Sequence, residues 1–206
     1  MSSALDPRAF YAERVPDQFN RALEAQRTSG AGGDAIYREM RAVDATIRID
    51  VEGEQGGTFY LNIDHGEMHG EDSPAHPPFV TLMQDRRAFE MLAGEVGDSA
   101  LGALGGLAGL SGDLKLTRRS IEAFACVNGL IQIEISGEGG FALRAHFGAK
   151  PIPDEPDARV RMSESTYRDL RSGRTDLQAA FMNLQLAIEG DLKLAMRAAL
   201  AALGHD

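Results

Sequence analysis

Two stretches decide the fold: TIRIDVEGEQGG at Thr46–Gly57 and LIQIEISGEGG at Leu130–Gly140. In the first, Ile47, Ile49 and Val51 alternate with Arg48 and Asp50 before a glycine-bearing turn; in the second, Ile131, Ile133 and Ile135 alternate with Gln132 and Glu134 before another. A period of two puts every second side chain on one face of a strand, so each stretch predicts a strand with one apolar and one wet face. Beyond each turn the alternation resumes, with Phe59, Leu61 and Ile63 in one case and Phe141, Leu143, Ala145 and Phe147 in the other. The chain therefore carries the same hairpin twice.

The parallel extends outward. Phe89 and Leu92 stand 78 residues before Tyr167 and Leu170, and the pentapeptide GDLKL occurs at Gly112–Leu116 and, at the same offset, at Gly190–Leu194. Three similar segments in the same order imply an internal repeat. Before the first hairpin, Val15, Phe19, Ala22 and Leu23 share a helical face that Pro16 opens, and Asp34 is placed to cap a second helix carrying Ile36, Met40 and Val43. Phe79–Met83 reads as a strand, Arg86–Leu92 as a short helix, and Gly102–Gly112 as a glycine-rich stretch. In the second half, Val160 and Met162 suggest a strand. Ser163 can cap a helix that Gly173 ends, Thr175 can cap another through Phe181, and Leu184, Leu186 and Ile188 alternate as a last strand. Gly190 turns the chain into a closing helix, where Asp191 suits the positive N-terminal end.

Composition bounds what such a protein does. With 206 residues, 43% hydrophobic and 25% charged, the chain can bury a real core. No run approaches the roughly 20 apolar residues that span a bilayer, so stable membrane insertion is not expected and the cytoplasm is the expected compartment. The formal charge of -10 repels nucleic acid and anionic membrane surfaces unless a local basic patch overrides it, and the pairs Arg86-Arg87 and Arg118-Arg119 are short for that. Cys126 is the only cysteine, with no disulfide partner, and reads as a small apolar residue.

The stretch GRTDLQAAFMNLQLAIEGDLKLAMRAAL, Gly173–Leu200, resembles the end of a sterol carrier protein type 2 (SCP2-like) domain. ERVPDQFNRALEA at Glu13–Ala25 is similar to the family's first helix, and VDATIRIDVEGEQGGTFYLNIDHGEM at Val43–Met68 to its opening hairpin. The resemblance implies an α+β protein of two SCP2-like units, each a small mixed β-sheet covered by helices. After an N-terminal tail, residues 1–12, come unit 1 at residues 13–125 and a shorter unit 2 at residues 126–206; the segment 113–127 is a candidate helix shared by both. It further implies a non-catalytic protein, needing no cofactor, that binds or transfers a hydrophobic lipid: fatty acyl, sterol-like or isoprenoid. The alternative is a structural or accessory protein that presents a hydrophobic substrate to a partner enzyme.

The residues agree with a site without chemistry. His65, His69 and His76 lie among Asp64, Glu67, Glu71 and Asp72, residue types that bind metals, but Asp64-His65-Gly66 reads as a hairpin turn and so denies His65 and His69 a common helix face; no metal is expected. No nucleophile elbow or phosphate loop is present. In the closing helix, Leu192, Met196, Ala199, Leu200 and Leu203 fill one face while Leu194, Ala198 and Ala201 make another apolar, interrupted only by Lys193 and Arg197. The expected lipid-contacting residues are Phe181, Met182, Met196, Leu200 and Leu203, with Phe89, Leu92, Ile121 and Phe124 as counterparts in the first half. A 16-carbon chain gains about 12 kcal/mol from burial, at about 0.8 kcal/mol per methylene, against about 4–15 kcal/mol for association and ordering. Such a balance suits reversible carriage.

Overall fold

In a computed structural model of the protein, residues 5–28, 30–95 and 116–203 are described. The N-terminal segment is helical from Pro7. Asp6 accepts the Arg8 N–H and starts α1 (Pro7–Ala9), a π-helical turn follows at Phe10–Arg14, and α2 (Val15–Arg27) continues from it. Phe10 and Tyr11 are buried. The expected tail thus runs into the core from residue 7, because an aromatic pair has nowhere better to go than an apolar layer. Helix α3 (Gly30–Arg41) starts four residues before Asp34.

Eight strands of the described chain form one mixed sheet: β1 (Ala45–Glu52), β2 (Gly57–Asp64), β3 (Glu67–Glu71), β4 (Pro78–Asp85), β5 (Gly129–Ser136), β6 (Phe141–Phe147), β7 (Ala158–Ser163) and β8 (Leu186–Gly190). Their spatial order is β3-β2-β1-β4-β6-β5-β7-β8. Both hairpins read from the alternation are present, β1 with β2 and β5 with β6, and both turns use left-handed residues. The pairings of the halves correspond. β1 is antiparallel to β2 and parallel to β4, and β5 is antiparallel to β6 and parallel to β7. Each parallel strand runs straight into a helix, β4 into α4 (Arg86–Glu95) and β7, through its cap Ser163, into α6 (Glu164–Arg171).

The sheet is nevertheless continuous. β4 pairs antiparallel with β6 from Val80–Phe147 to Gln84–Leu143, so the expected two small sheets are one. The remaining helices are α5 (Arg118–Ala125), α7 (Leu177–Met182) and α8 (Leu192–Leu203). The glycine-rich residues 102–112, and all of the first GDLKL segment except buried Leu116, lie outside the described residues.

The apolar face is packed tightly over the first half. Ile47, Ile49, Leu61 and Ile63 are buried beneath Val15, Phe19 and Leu23 and beneath an aromatic group in which Phe10 and Tyr11 contact Phe89 at 5.4 and 5.8 Å. Within that layer Gln84 Nε2 donates to the Tyr11 hydroxyl at 2.5 Å, and burial pushes the phenol's pKa up. The opposite face has its own small polar core. Thr46 Oγ1 donates to Asn62 Oδ1 at 2.7 Å; Asn62 then holds Ser73 and Ala75, and Thr46 holds His76, pinning the connection from β3 to β4.

His146 on β6 lies between Thr81 and Leu130 in register and is 4% exposed. Desolvation lowers its pKa against the opposing pull of Asp157. The unfolded chain therefore takes up a proton at about pH 6.5 while the native protein resists it, so the stability associated with neutral His146 is present above that pH and is lost as the pH falls below it. Urea unfolding across this range should show a shallower pH slope for His146→Gln than for the parent; equal slopes would contradict the assignment.

Candidate functional site

The second half is built differently above its sheet. Pairing aligns Ile133 on β5 with Val160 on β7, and Val160 with Ile188 on β8, making one apolar row across three strands. All three residues are only half-buried, whereas Ile49 and Leu82, the pair formed by β1 and β4 in the first half, are buried. Apolar neighbours flank the row: Ile131, Ile135, Ala158, Met162 and Leu186 are buried on the same strands.

Helices approach this row from both ends of the strands. At the Ser163 end, Ser163 Oγ accepts from the Thr166 N–H at 3.1 Å and launches α6, whose Tyr167 and Leu170 are buried; Tyr167 meets Phe141 edge to face at 5.5 Å. α7 follows, capped by Asp176 rather than the expected Thr175 because its carboxylate reaches the Ala179 N–H at 2.7 Å. At the opposite end the second GDLKL segment does its work. Gly190 has φ +82, and a Cβ there would lie 2.3 Å from the Asp157 carbonyl oxygen, so the position suits glycine on two counts. The Asp191 N–H donates to that same carbonyl at 2.8 Å, and Asp191 Oδ1 caps α8 by accepting from the Leu194 N–H at 3.0 Å. Asp157 Oδ2 also accepts from Leu130 at 2.8 Å, so one residue ties the start of β5 to the end of β8.

α8 then packs across β5, β7 and β8 and against α5. It does so through Leu194, Ala195 and Ala201, which are buried, and Ala198. Leu192, Met196 and Leu200 form a stripe on its other side and are 46%, 41% and 50% exposed. Of the two apolar faces read from the sequence, the one with Leu192 is therefore outside. Of the other expected contact residues, Phe181 is partly and Met182 largely exposed on α7, and the side chain of Leu203 lies outside the described residues. The first-half set is elsewhere. Phe89 and Leu92 are buried in α4, Phe124 stacks on Phe147 at 5.7 Å, and Ile121 is half-buried on α5. The row Ile133–Val160–Ile188 was not singled out from sequence. Its members show in the strand alternation, but only the register brings them together.

The wet face beneath the row carries charge. Arg161 bonds Glu134 at 2.7 Å and Glu189 at 2.5 Å, linking β5, β7 and β8, and its guanidinium holds the Glu134 carboxyl below the usual range. The histidine cluster does not assemble as a set: the donors gathered among the described residues are Asp44, Asp64 and His65, without His69 or His76. Asp64 accepts from His65 at 2.7 Å and raises its pKa.

Comparison with known proteins meets this half of the molecule. Residues 114–201 match the family model described as the SCP-2 sterol transfer family. No curated protein is significantly similar to the chain. Among solved structures, sterol carrier protein 2 like 2 from Aedes aegypti is 17% identical over 55% of this chain and 95% of its own, with a TM-score of 0.33. A palmitated form of the same Aedes aegypti protein is 19% identical over 57% and 94%, with a TM-score of 0.33. Sterol carrier protein 2 from Yarrowia lipolytica, in its apo form, is 16% identical over 56% and 84%, with a TM-score of 0.29. No helix among the described residues is long and apolar enough to cross a membrane.

The two sides of α8 make separable predictions. Leu194→Ala should lower unfolding stability by about 2–4 kcal/mol, as for loss of a packed leucine, while Met196→Ser should change it by no more than about 0.5 kcal/mol. Chemical denaturation of both variants checks this. Equal losses would mean that the exposed stripe is covered.

Proposed function

We propose that the protein binds a hydrophobic lipid without transforming it, and that it carries or transfers that lipid. The supporting observation is the half-buried row Ile133, Val160 and Ile188, which lies within the residues matching the SCP-2 sterol transfer family. An aliphatic floor between two groups of helices suits an acyl chain, a sterol-like ring system or an isoprenoid. Selectivity would then reside in length and shape rather than in polar anchors. Phe181, Met182, Met196, Leu200 and Leu203 are proposed as lipid contacts at the mouth of this site.

The first half is proposed as a diverged second unit of the same kind. The corresponding strand pairings support this, as does the helix that follows each parallel strand. A boundary between units on the N-terminal side of α5 is proposed, and the family match, which begins at residue 114 and includes that helix, supports it. On this reading Phe89, Leu92, Ile121 and Phe124 occupy positions like those of a ligand wall while filling the space with aromatic and aliphatic packing, so the second half is the working site. The protein is proposed to act in the cytoplasm, either delivering lipid between membranes or presenting it to a partner enzyme.

Native mass spectrometry with lipid extraction of freshly purified protein tests the proposal. The expected result is a bound lipid, or uptake of an added fluorescent fatty acid, with Val160→Trp weakening uptake by about tenfold or more, equivalent to about 1.4 kcal/mol. If no lipid is carried and none can be loaded, the binding function is wrong.

A further inference from the structure

We infer that the exposed side of α8 is a docking surface for an anionic lipid bilayer. Seven large apolar side chains are exposed among the described residues; three of them, Leu192, Met196 and Leu200, form one continuous stripe at successive fourth positions of this helix, and Phe181, Met182 and Leu184 cluster at the end of α7 and the turn after it. Exposed apolar groups gathered in this way mark an interaction surface rather than the scattered apolar residues of an ordinary exterior.

Charge identifies the occupant. On the helical wheel Lys193 and Arg197 border the stripe directly, both are exposed, and no acid occurs from Leu192 to Leu203. Helix α5, packed beside α8, adds exposed Arg118 and Arg119. Among the described residues the acid on this helix pair is Glu122, 3.7 Å from Arg118; at the start of α8, Asp191 is held as the cap and the Asp157 carboxylate accepts from Leu130, and Glu189 is paired with Arg161. In a chain of net charge -10 the helix pair therefore carries a local surplus of cations, with Lys193 and Arg197 at the edge of the apolar stripe itself. An apolar strip seated at the headgroup boundary with basic side chains reaching to lipid phosphates is the arrangement of an interfacial helix, and it needs no spanning segment.

The test is cosedimentation of the full-length protein with phosphatidylcholine vesicles, with and without phosphatidylglycerol, at low and high salt. Binding should require phosphatidylglycerol and weaken with salt. Lys193→Glu combined with Arg197→Glu should weaken it by about tenfold or more, and Met196→Ser combined with Leu200→Ser should weaken it while leaving the circular dichroism spectrum unchanged. Binding that ignores lipid charge, or that both double variants retain, overturns the inference. So does concentration-dependent self-association abolished by Met196→Ser and Leu200→Ser, which would make a second copy the occupant. Lipid carriage is measured without vesicles, so either proposal can fail while the other stands.

Discussion

The antiparallel ladder between β4 and β6 is the interaction on which the rest of the structure depends. Without it the two hairpin sets would each present an exposed central strand edge, and each apolar face would be too narrow to organise the helices above it. With it, Val80 to Gln84 and Leu143 to Phe147 become the middle of a single wide surface. The consequence is an arrangement in which β6 occupies, beside β4, the edge that β8 occupies beside β7. Each half thus completes the sheet of the other, and neither is expected to be stable apart.

A continuous sheet with one apolar face imposes a covering requirement, and the two halves meet it unequally. Over β1, β2 and β4 the cover is aromatic, with Phe10, Tyr11, Phe59 and Phe89 in mutual contact. Rings that meet edge to face, as Phe10 does with Tyr11 and with Phe89, leave little room for rearrangement and contribute specific geometry as well as area. Over β5, β7 and β8 the face is aliphatic, and its central row is incompletely covered. Aliphatic chains exchange contacts with another apolar molecule without loss of directional partners, which is why the incompletely covered half is the one to which lipid carriage is assigned.

Much of this was legible in the sequence because period-two alternation is dictated by the strand itself. Both hairpins, the Gly190-Asp191 joint, the Ser163 cap and the second half's likeness to the SCP2-like family followed from residue types at fixed spacing. What was not legible depends on contacts between distant segments. Nothing in Pro7–Arg14 shows a clear amphipathic repeat, since a π-helical turn breaks the 3.6-residue period just where Phe10 and Tyr11 enter the core. Likewise the alternation supplied each strand but no order of strands, and the fusion of two expected sheets into one is a property of the β4–β6 pairing alone.

The closing helix shows most plainly where pattern stops being sufficient. Its sequence is apolar almost all round, so periodicity finds two candidate faces and cannot rank them. Summed hydrophobicity favours Leu192, Met196 and Leu200 for burial, yet the sheet takes Leu194, Ala195, Ala198 and Ala201. Close approach decides it. The alanines let the helix backbone settle near β5, β7 and β8, while the Asp191 cap and the Gly190 turn fix the angle at which the helix leaves the sheet and hence the face it presents. The larger residues are left outward at a cost in exposed apolar area that the fold itself gives no reason to accept. A packing requirement alone would have been met by polar side chains at those three positions, so their apolar character points to something the helix meets outside the protein.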